Sequence, residues 1–441
     1  MELKVCKFGG TSMATYESIK TVKSIIESEK SRRFVVVSAP GKRFKNDEKV
    51  TDILYACYNN KGNIEAFNTE FDKIKDRFNT LVKEFKLDLD FAPYFEIVKK
   101  GILSSTTPDY AASRGEYLSA ILTSKILGME FVDSAEIIRF NDKGVYDQNE
   151  TDKLIRGRLS LFKGAVIPGF YGAQEDGTIR TFSRGGSDFT GSIIANGVEA
   201  DIYENWTDVN GFMVTDPRIV PNPEIIKEIS YDELRELSYM GASVLHPAST
   251  YPIQNAGIPI NIRNTFNPSA PGTMIVKQID NLQNNKNIIT GIAGKKDFTT
   301  IFIKKALINS EVGYIRRILS ILEEFNINIE HLPTGIDTVS LIVPNQDIAN
   351  SAGIEKILEA IRERIEPDLL YVYRDIALIA IVGHGMNRLP GTAARVFTAL
   401  AKQRINIRMI DQGSSELNII LGVDNDNMEK AIAEIYKEFI H

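Results

Sequence analysis

Apolar and polar residues follow two different patterns along the chain, and the change between them predicts its domain organisation. Up to about residue 275, short apolar runs such as "LKVCKF" and "RFVVVSAP" alternate with helical patterns such as "YESIKTVKSIIES". Strands that alternate with helices are typical of an α/β domain with a mainly parallel sheet. We therefore expect an α/β domain over residues 1–280.

One predicted helix in this region has a regular apolar face. Spacings of four and three residues place these side chains on one side of an amphipathic helix: Phe67, Phe71, Ile74, Phe78, Leu81 and Phe85. A coiled coil is one interpretation of this pattern. We favour a helix that packs on the rest of its own domain.

The remainder of the chain contains an internal repeat. A polar, Asn-rich stretch at residues 278–287 is typical of a linker or connecting loop. Beyond it, "GYIRRILSILEEFNINIE" from Gly313 resembles "GTAARVFTALAKQRINIR" from Gly391, which begins 78 residues later. This period is too long for a solenoid. It indicates two copies of a small domain, each in the order strand, helix, strand, strand, helix.

Composition narrows the class of protein. The 441 residues are 43% hydrophobic and 25% charged, as in ordinary globular proteins, and the net charge of −6 gives no reason to expect nucleic acid. Cys6 and Cys57 are the only cysteines, and the four histidines are scattered, so we expect no disulfide framework, no Cys-based zinc site and no metal held by histidines. No signal peptide or membrane-spanning run is evident, which favours a cytoplasmic protein.

The stretch "VCKFGGTS" near the start carries the first chemical signal. It places Lys7, two glycines and two hydroxyls between a strand and a helix. Backbone N–H groups at such a turn, with the helix N-terminus, form an anion site, and Gly9 and Gly10 allow a phosphate to approach closely. The spacing is not that of an ordinary P-loop. A tight turn with a surface lysine is the alternative interpretation.

Three further stretches combine charged residues with glycine or turn residues. "TFSRGGSDFTG" offers Arg184, which suits a carboxylate, together with Asp188. "ASRGEYLSA" is expected to place Glu116 in a Gly-containing turn at a helix start, where it could simply cap the helix. "NWTDVNGFMVTDPR" is a polar set that also fits a strand followed by turns.

Taken together and in this order, these motifs resemble those of aspartate kinases of the amino acid kinase fold. "KFGGTS", "SRGE", "RGGSDFTG", "WTDV", "TDPR" and "GASVLHP" carry the resemblance, which covers essentially the whole chain. It implies a three-layer catalytic domain followed by two α+β, ferredoxin-like ACT domains, to which the repeat and "QGSSELNI" are similar. It also implies transfer of a phosphoryl group from ATP, with Mg²⁺, to the β-carboxylate of L-aspartate.

The same resemblance implies roles for individual residues. Lys7 would neutralise phosphate charge and Asp188 would be its catalytic partner. The implied substrate-binding residues are Thr51, Glu116, Phe170, Arg184, Gly185, Gly186 and Ser187. The implied ATP-binding residues are Lys7, Gly9, Gly10, Thr11, Ser12, Ser38, Thr207, Asp208, Phe212, Asp216, Arg218, Ser243 and Val244. Phe212 and Ser243 depart from the tyrosine and lysine that many family members carry, which puts ATP affinity in doubt.

A full ACT domain has four strands and two helices, and the two copies differ in this respect. The first copy offers "TTIFIKK", "INIEHLP", "DTVSLIV" and "LLYVYRD", whereas the second lacks one strand. We expect "NIITGIAG", residues 287–294, to supply it. The first ACT domain, 297–374, would then be inserted within the second, formed by 287–296 and 375–441.

Resemblance to lysine-inhibited relatives also implies an effector pocket and at least a homodimer. The implied pocket residues are Gly313, Tyr314, Ile315, Asn328, Ile329, Glu330 and Thr334. Glu330 could hold an ammonium group, or it could be a solvated strand residue. Because the second copy has Arg408 at the equivalent position, a cationic effector should prefer the first copy, which favours L-lysine over L-threonine.

Two other functions stay open at this point. One is a kinase of the same fold that acts on acetylglutamate, glutamate or a nucleotide; "SRGE" and the paired ACT domains argue against it. The other is an amino-acid sensor without catalysis, against which the pair Lys7 and Asp188 argues. We expect no fused homoserine dehydrogenase, since the sequence ends after the second ACT domain.

Overall fold

The computed structural model describes residues 2–183, 185–242, 244–279 and 288–440. The described residues form two compact units: the first comprises those of 2–212, 225–234 and 244–279, and the second those of 213–224, 235–242 and 288–440. Residues 213–224 and 235–242 thus belong to the second unit, although the sequence pattern groups them with the first. Contacts explain this, because Ile292 N–H donates to the Val214 carbonyl at 2.7 Å, and Gly291 lies against Leu237.

The elements of the first unit alternate as the apolar pattern predicts. In chain order they are β1 (Lys4–Phe8), α1 (Tyr16–Glu27), β2 (Arg32–Val37), α2 (Val50–Asn59), α3 (Ile64–Phe85), α4 (Ala92–Ser104), α5 (Asp109–Leu127), β3 (Glu130–Phe131), α6 (Ser134–Ile137), α7 (Gln148–Leu159), β4 (Ala165–Pro168), β5 (Tyr171–Ala173), β6 (Ile179–Thr181), α8 (Gly186–Gly197), β7 (Ile202–Thr207), β8 (Glu228–Ser230), α9 (Tyr231–Tyr239), α10 (Tyr251–Gln254), β9 (Ile260–Asn264) and β10 (Thr273–Val276). Helix α9 begins in the first unit and ends in the second.

An eight-stranded sheet of order β3-β4-β2-β1-β7-β9-β10-β8 organises this unit. Every neighbouring pair is parallel except β9 and β10, so the α/β class with a mainly parallel sheet is confirmed. β1 and β7 lie side by side with Lys7 opposite Asn205. Because the carboxyl ends of parallel strands meet at one edge, the loops after β1, β2, β4 and β7 converge there.

The regular apolar helix is confirmed as α3. Phe67, Phe71, Ile74 and Phe78 are at most 1% exposed and belong to one apolar core together with residues of α2, α4 and α5. The helix therefore packs within its own unit, as the favoured interpretation has it.

The second unit contains the repeat. Its elements are β11 (Gly291–Lys304), α11 (Tyr314–Glu324), β12 (Thr338–Pro344), α12 (Asn345–Asn350), α13 (Ile354–Ile365), β13 (Leu369–Val382), α14 (Thr392–Lys402), β14 (Met409–Asp411), β15 (Asn418–Asp424) and α15 (Met428–Phe439). They form a five-stranded antiparallel sheet of order β12-β11-β13-β15-β14.

Two long strands each run through both copies of the repeat. The first part of β11, Gly291 to Lys295, pairs with Val382 to Leu378 of the second copy, and its later part pairs with β12 of the first copy. The register shifts between Lys295 and Phe298, and Asp297 and Asp375 take positive φ angles of 70° and 59°. Each long strand therefore has a backbone irregularity where one copy gives way to the other.

One expected strand is not regular. The segment "INIEHLP" makes only isolated bridges, from His331 to Ile342 and from Thr334 to Val339. Asn326, which directly precedes this segment, has a positive φ of 55°. Of the linker expected at residues 278–287, residues 280–287 lie outside the described residues, as does the start of "NIITGIAG". In the described part of the chain, no helix is long and apolar enough to cross a membrane.

Candidate active site

The glycine-rich loop after β1 is held by backbone contacts on both sides. Gly9 N–H donates to the Trp206 carbonyl at 3.1 Å, and the Gly10 carbonyl accepts from Gly41 N–H at 2.8 Å. A Cβ on Gly10 would lie 3.1 Å from the Ala39 carbonyl, so glycine is what allows this approach. Helix α1 starts only at Tyr16 behind a capping box. Any anion would therefore meet the loop itself, and the expected contribution of the α1 N-terminus is not evident.

A charged pair lies at the base of this loop. Lys7 Nζ is 2.5 Å from Asp188 Oδ1, and Lys7 is only 7% exposed. Lys7 comes from β1, whereas Asp188 is in the first turn of α8. The pair joins two of the sequence motifs, 181 residues apart, in one place.

Asn205, which the sequence analysis did not single out, positions the acidic partner. Its side-chain amide donates to Asp188 Oδ1 at 2.9 Å from the neighbouring strand β7. The Tyr203 hydroxyl donates to the Asp188 carbonyl at 3.2 Å. Gly191 makes this packing possible, since a Cβ there would lie 2.4 Å from the Tyr203 hydroxyl oxygen. Asn205 is identified by its position opposite Lys7 in the sheet, and this pairing becomes known only with the order of the strands.

Beside the loop lies a cavity of about 440 Å³. It brings together residues of the loop, of the segment after β2, and of α2 and α5: Gly10, Thr11, Ser38, Ala39, Pro40, Gly41, Lys42, Lys49, Thr51 and Glu116. Five of these were expected from sequence at the substrate or ATP site. Lys42 and Lys49 were not, because exposed lysines in a polar segment carry no sequence signal of their own.

Glu116 lies in the middle of α5, not in a turn at a helix start as expected. Gly115 is part of this helix, and glycine is needed there because a Cβ would lie 2.7 Å from the Ala39 side chain. Glu116 is 6% exposed, and its Oε2 atom has no hydrogen-bond partner among the described residues. Burial raises the pKa of Glu116 to about 8, although the N–H groups of Ala39 and Glu116 partly offset this effect. Such a carboxylate is suited to a cationic ligand.

The loop after β4 packs directly on the start of α8. A Cβ on Gly169 would lie 2.7 Å from Ser187, and one on Gly186 would lie 2.4 Å from the Phe170 ring. Phe170 has a positive φ of 81°, which is strained for a non-glycine residue. Its N–H donates to the Thr190 hydroxyl at 2.9 Å. Thus Phe170, Gly186 and Ser187 form one patch beside Asp188, while Arg184 lies outside the described residues.

The expected ATP-binding residues fall into three groups. Thr11 lies 3.4 Å from Asp208, whose carboxylate also accepts from Thr207 at 3.3 Å. Ser12 and Phe212 are buried at 0% and 1% exposure, and the Ser12 hydroxyl is hydrogen-bonded to Thr265 at 2.8 Å. The third group contains Asp216 and Arg218, which form an ion pair at 2.6 Å and belong to the second unit, and Val244, which belongs to the first. Ser243 lies outside the described residues.

The expected effector residues lie in the second unit. Gly313, with a positive φ of 82°, precedes α11 and has open space around it, whereas Tyr314 is only 2% exposed. A cavity of about 300 Å³ includes Asn328 and Ile329 but none of the other five effector positions among the described residues. The buried Oε2 atom of Glu330 has no hydrogen-bond partner in the part of the chain that the structure describes.

No group of three or more His, Cys, Asp or Glu residues that could hold a metal ion occurs within the described ranges.

Comparisons with known proteins agree with this geometry. Residues 2–264 match the profile described as amino acid kinase family, and residues 379–439 match that of an ACT domain. Aspartokinase 3 of Bacillus subtilis (strain 168) is 37% identical over 455 residues, which cover 99% of this chain and 98% of the relative. Lysine-sensitive aspartokinase 3 of Escherichia coli (strain K12) is 26% identical over 459 residues, with 99% and 98% covered.

Two solved structures are similar over 100% of both chains. The aspartate kinase of Clostridium acetobutylicum has a TM-score of 0.91 at 48% identity. The Escherichia coli aspartokinase III in complex with aspartate and ADP, in its R-state, has a TM-score of 0.73 at 26% identity.

The parallel sheet, the glycine-rich loop and the matched profile define the first unit as an amino acid kinase domain. The full-length similarity narrows this class further. The chain belongs to the aspartokinase family, and its activity is that of an aspartate kinase. The resemblance drawn from the sequence motifs is thereby confirmed.

Proposed function

We propose that this enzyme transfers the γ-phosphoryl group of ATP to the β-carboxylate of L-aspartate, giving 4-phospho-L-aspartate and ADP. The observation that carries the proposal is the Lys7–Asp188 pair, 2.5 Å apart, at the base of the glycine-rich loop. The similar Escherichia coli structure holds aspartate and ADP, which supports both ligands. In this proposal the product begins lysine, threonine and methionine synthesis.

The chemistry needs positioning and charge neutralisation more than proton transfer. A β-carboxylate with a reference pKa near 4 is already ionised at neutral pH, so it attacks without a general base. The difficulty is that carboxylate and triphosphate repel each other. Lys7 would stabilise the charge that develops on the transferring group, and Asp188 would hold Lys7 in place. Asn205 would keep Asp188 oriented toward Lys7 through its 2.9 Å hydrogen bond.

The aspartate would occupy the side of the cavity next to α2 and α5. Glu116 suits the substrate ammonium because its buried Oε2 atom has no partner in the described structure. Arg184 would bind a carboxylate, with Thr51, Phe170, Gly185, Gly186 and Ser187 around the substrate. These assignments are proposals that rest on family resemblance and on the packing of Phe170 and Ser187 beside Asp188.

ATP would meet the loop formed by Gly9, Gly10 and Thr11, with Ser38 at the end of β2. Thr207 and Asp208 extend this side through the Thr11 contact. Ser12 and Phe212 would contribute by supporting the loop and its surroundings, since both are buried. Asp216, Arg218, Ser243 and Val244 stay predictions. Mg²⁺ would accompany ATP and supply charge neutralisation at the phosphates.

A test of the reaction is ATP-dependent hydroxamate formation with purified full-length chain. We expect an acyl phosphate to be trapped with L-aspartate, but not with L-glutamate or acetylglutamate. A nucleoside monophosphate cannot form a hydroxamate, so it is assayed by ADP release, and we expect none. Trapping with another amino acid in place of aspartate, or ADP release with the nucleotide, would overturn the substrate assignment. No trapping and no ADP release with any acceptor would instead support the alternative of a sensor without catalysis.

For the regulatory part, we propose two ACT domains, of which the first, 297–374, is inserted within the second, 287–296 and 375–441. The pairing of Gly291–Lys295 with β13 and the irregularities at Asp297 and Asp375 support these bounds. We propose L-lysine as the effector, bound near Glu330, with threonine as the next candidate. The lysine-sensitive Escherichia coli relative supports this choice. A homodimer or larger assembly in the cytoplasm also remains part of the proposal.

A further inference from the structure

Two lysines line the active-site cavity without an acidic partner. Lys42 and Lys49 border the same cavity as Gly10, Thr11 and Glu116. Among the residues that the structure describes, neither ammonium group forms an ion pair or a side-chain hydrogen bond. Some surface lysines of the unit, such as Lys73, are paired with carboxylates, and others such as Lys45 form no ion pair with a described residue; what distinguishes Lys42 and Lys49 is that they border the cavity. The two cations are therefore available to a ligand.

The charge balance of the described site leaves a need for such cations. Lys7 already has a carboxylate, that of Asp188, at 2.5 Å. In the described residues the cavity also contains Glu116, which becomes negative when it ionises. Two anionic substrates must meet here, and each added positive charge lowers their mutual repulsion.

The segment that carries both lysines is fixed by a buried clamp. Arg77 of α3 is 4% exposed; it donates to Asp47 at 3.1 Å, to the Glu48 carbonyl at 3.1 Å and to the Gly41 carbonyl. Arg43 adds a bidentate contact to Asp47, with both distances 2.8 Å. These arginines hold the pKa of Asp47 well below its usual range, so its charge persists. Residues 41–49, which form one wall of the cavity, are thus anchored by the two arginines at Gly41, Asp47 and Glu48.

Gly41 connects this wall to the catalytic loop. Its N–H donates to the Gly10 carbonyl at 2.8 Å, and a Cβ at Gly41 would lie 2.7 Å from the Gly10 carbonyl carbon. The clamp therefore sets the separation between Lys42 and the loop that would receive phosphate. Helix α2, which starts directly after Lys49, carries Thr51, which lines the same cavity.

We infer that Lys42 and Lys49 bind an oxyanion of the reacting pair, either a carboxylate of aspartate or a phosphate of ATP, and that Arg77 is a positioning residue for them. The inference rests on the proposed location of the active site. It adds to that site a cationic wall, residues 41–49, which the family motifs do not mark.

The test compares Lys42→Gln and Lys49→Gln with a matched control, Lys45→Gln. Lys45 is an exposed lysine on the same segment that does not line the cavity. We expect each cavity variant to raise the KM of one substrate about tenfold, the worth of one charge-assisted hydrogen bond. The control variant should change neither KM by more than about twofold, because a single exposed charge contributes little. A rise for aspartate alone identifies a carboxylate, and a rise for ATP alone identifies a phosphate.

Unchanged KM values for both substrates in the Lys42→Gln/Lys49→Gln double variant would overturn the inference. So would an equal effect of Lys45→Gln, since that would indicate only a general loss of charge. Lys7→Ala, assayed in parallel, distinguishes a failure of the lysine inference from an active site that lies elsewhere. If Lys7→Ala lowers kcat while the cavity variants have no effect, only the present inference fails.

Arg77 is tested through its dependence on the lysines. Arg77→Met should raise the same KM as the lysine variants, and Arg77→Lys should restore part of the loss. In the Lys42→Gln/Lys49→Gln background, Arg77→Met should add little, because its effect passes through those side chains. Fully additive effects would show a purely structural role and refute the positioning assignment.

Discussion

If Glu116 binds the substrate ammonium as proposed, its raised pKa makes aspartate binding depend on pH in a specified direction. Burial raises this pKa to about 8, so the unliganded carboxyl group is mainly protonated at pH 7. Binding of the substrate ammonium favours the ionised form. The proton must therefore leave as aspartate binds, and binding should strengthen as the pH rises toward 8.

The expected size of this pH dependence follows from the titration of Glu116 alone. If only ionised Glu116 binds aspartate well, the KM for aspartate should rise roughly 50-fold as the pH falls from 8 to 6. Calorimetric titration at pH 7 in buffers of different ionisation enthalpy should show the release of about one proton per bound aspartate. Glu116→Gln should abolish both effects. Its KM should approach that of the wild type near pH 6, where the wild-type side chain is itself neutral.

Asp52→Asn is the matched control, since Asp52 is an exposed acid on α2 that does not line the cavity. It should keep the pH dependence of the wild type. A wild-type KM for aspartate that stays constant between pH 6 and pH 8 would refute the reasoning. Proton release that persists in Glu116→Gln would do so as well, because it would have to come from another group.

Four other predictions concern catalysis, stability and regulation. Lys7→Ala should lower kcat about 10²–10³-fold, as does loss of a preorganised charge-stabilising group, and a normal turnover number would exclude its role. Asn205→Ala should lower kcat about tenfold with little change in either KM, as measured by steady-state kinetics; an effect on KM alone would contradict this. Glu204→Ala should destabilise the first unit by about 3 kcal/mol in urea unfolding, because it removes the buried carboxylate 2.8 Å from Arg32 and leaves that cation only the partly exposed Glu29 at 3.2 Å; an unchanged unfolding midpoint would contradict this. Glu330→Ala should keep kinase activity but require at least tenfold more L-lysine for half inhibition, which corresponds to a loss of about 1.4 kcal/mol in the coupling between effector and active site. Unaltered inhibition by L-lysine would argue for another effector pocket.

Features that depend on local pattern were predictable from the sequence. The strand-helix alternation gave the parallel sheet, and the four-and-three spacing gave the buried face of α3. Lys7 and Asp188 were both singled out because each lies in a motif with paired glycines. Their 2.5 Å contact also needed the order of strands in the sheet, which no local pattern contains.

Features that depend on what lies across the fold were missed or misplaced. Glu116 was expected in a turn because Gly115 precedes it, yet that glycine serves a helix packed on Ala39. Lys42 and Lys49 look like ordinary surface lysines until the cavity is formed. "INIEHLP" alternates like a strand, but its partners along β12 give it only isolated bridges. In each case tertiary contacts decided the outcome over local preference.

The shared strands have a consequence for regulation through the two ACT copies. β11 and β13 each contribute to both copies, so neither copy can shift along these strands without moving residues of the other. A side-chain contact joins the copies as well, because His331 Nδ1 lies 2.7 Å from Asp411 Oδ2. His331 directly follows Glu330, the residue that we propose for the effector. An effector bound in the first copy would therefore act on one connected structure.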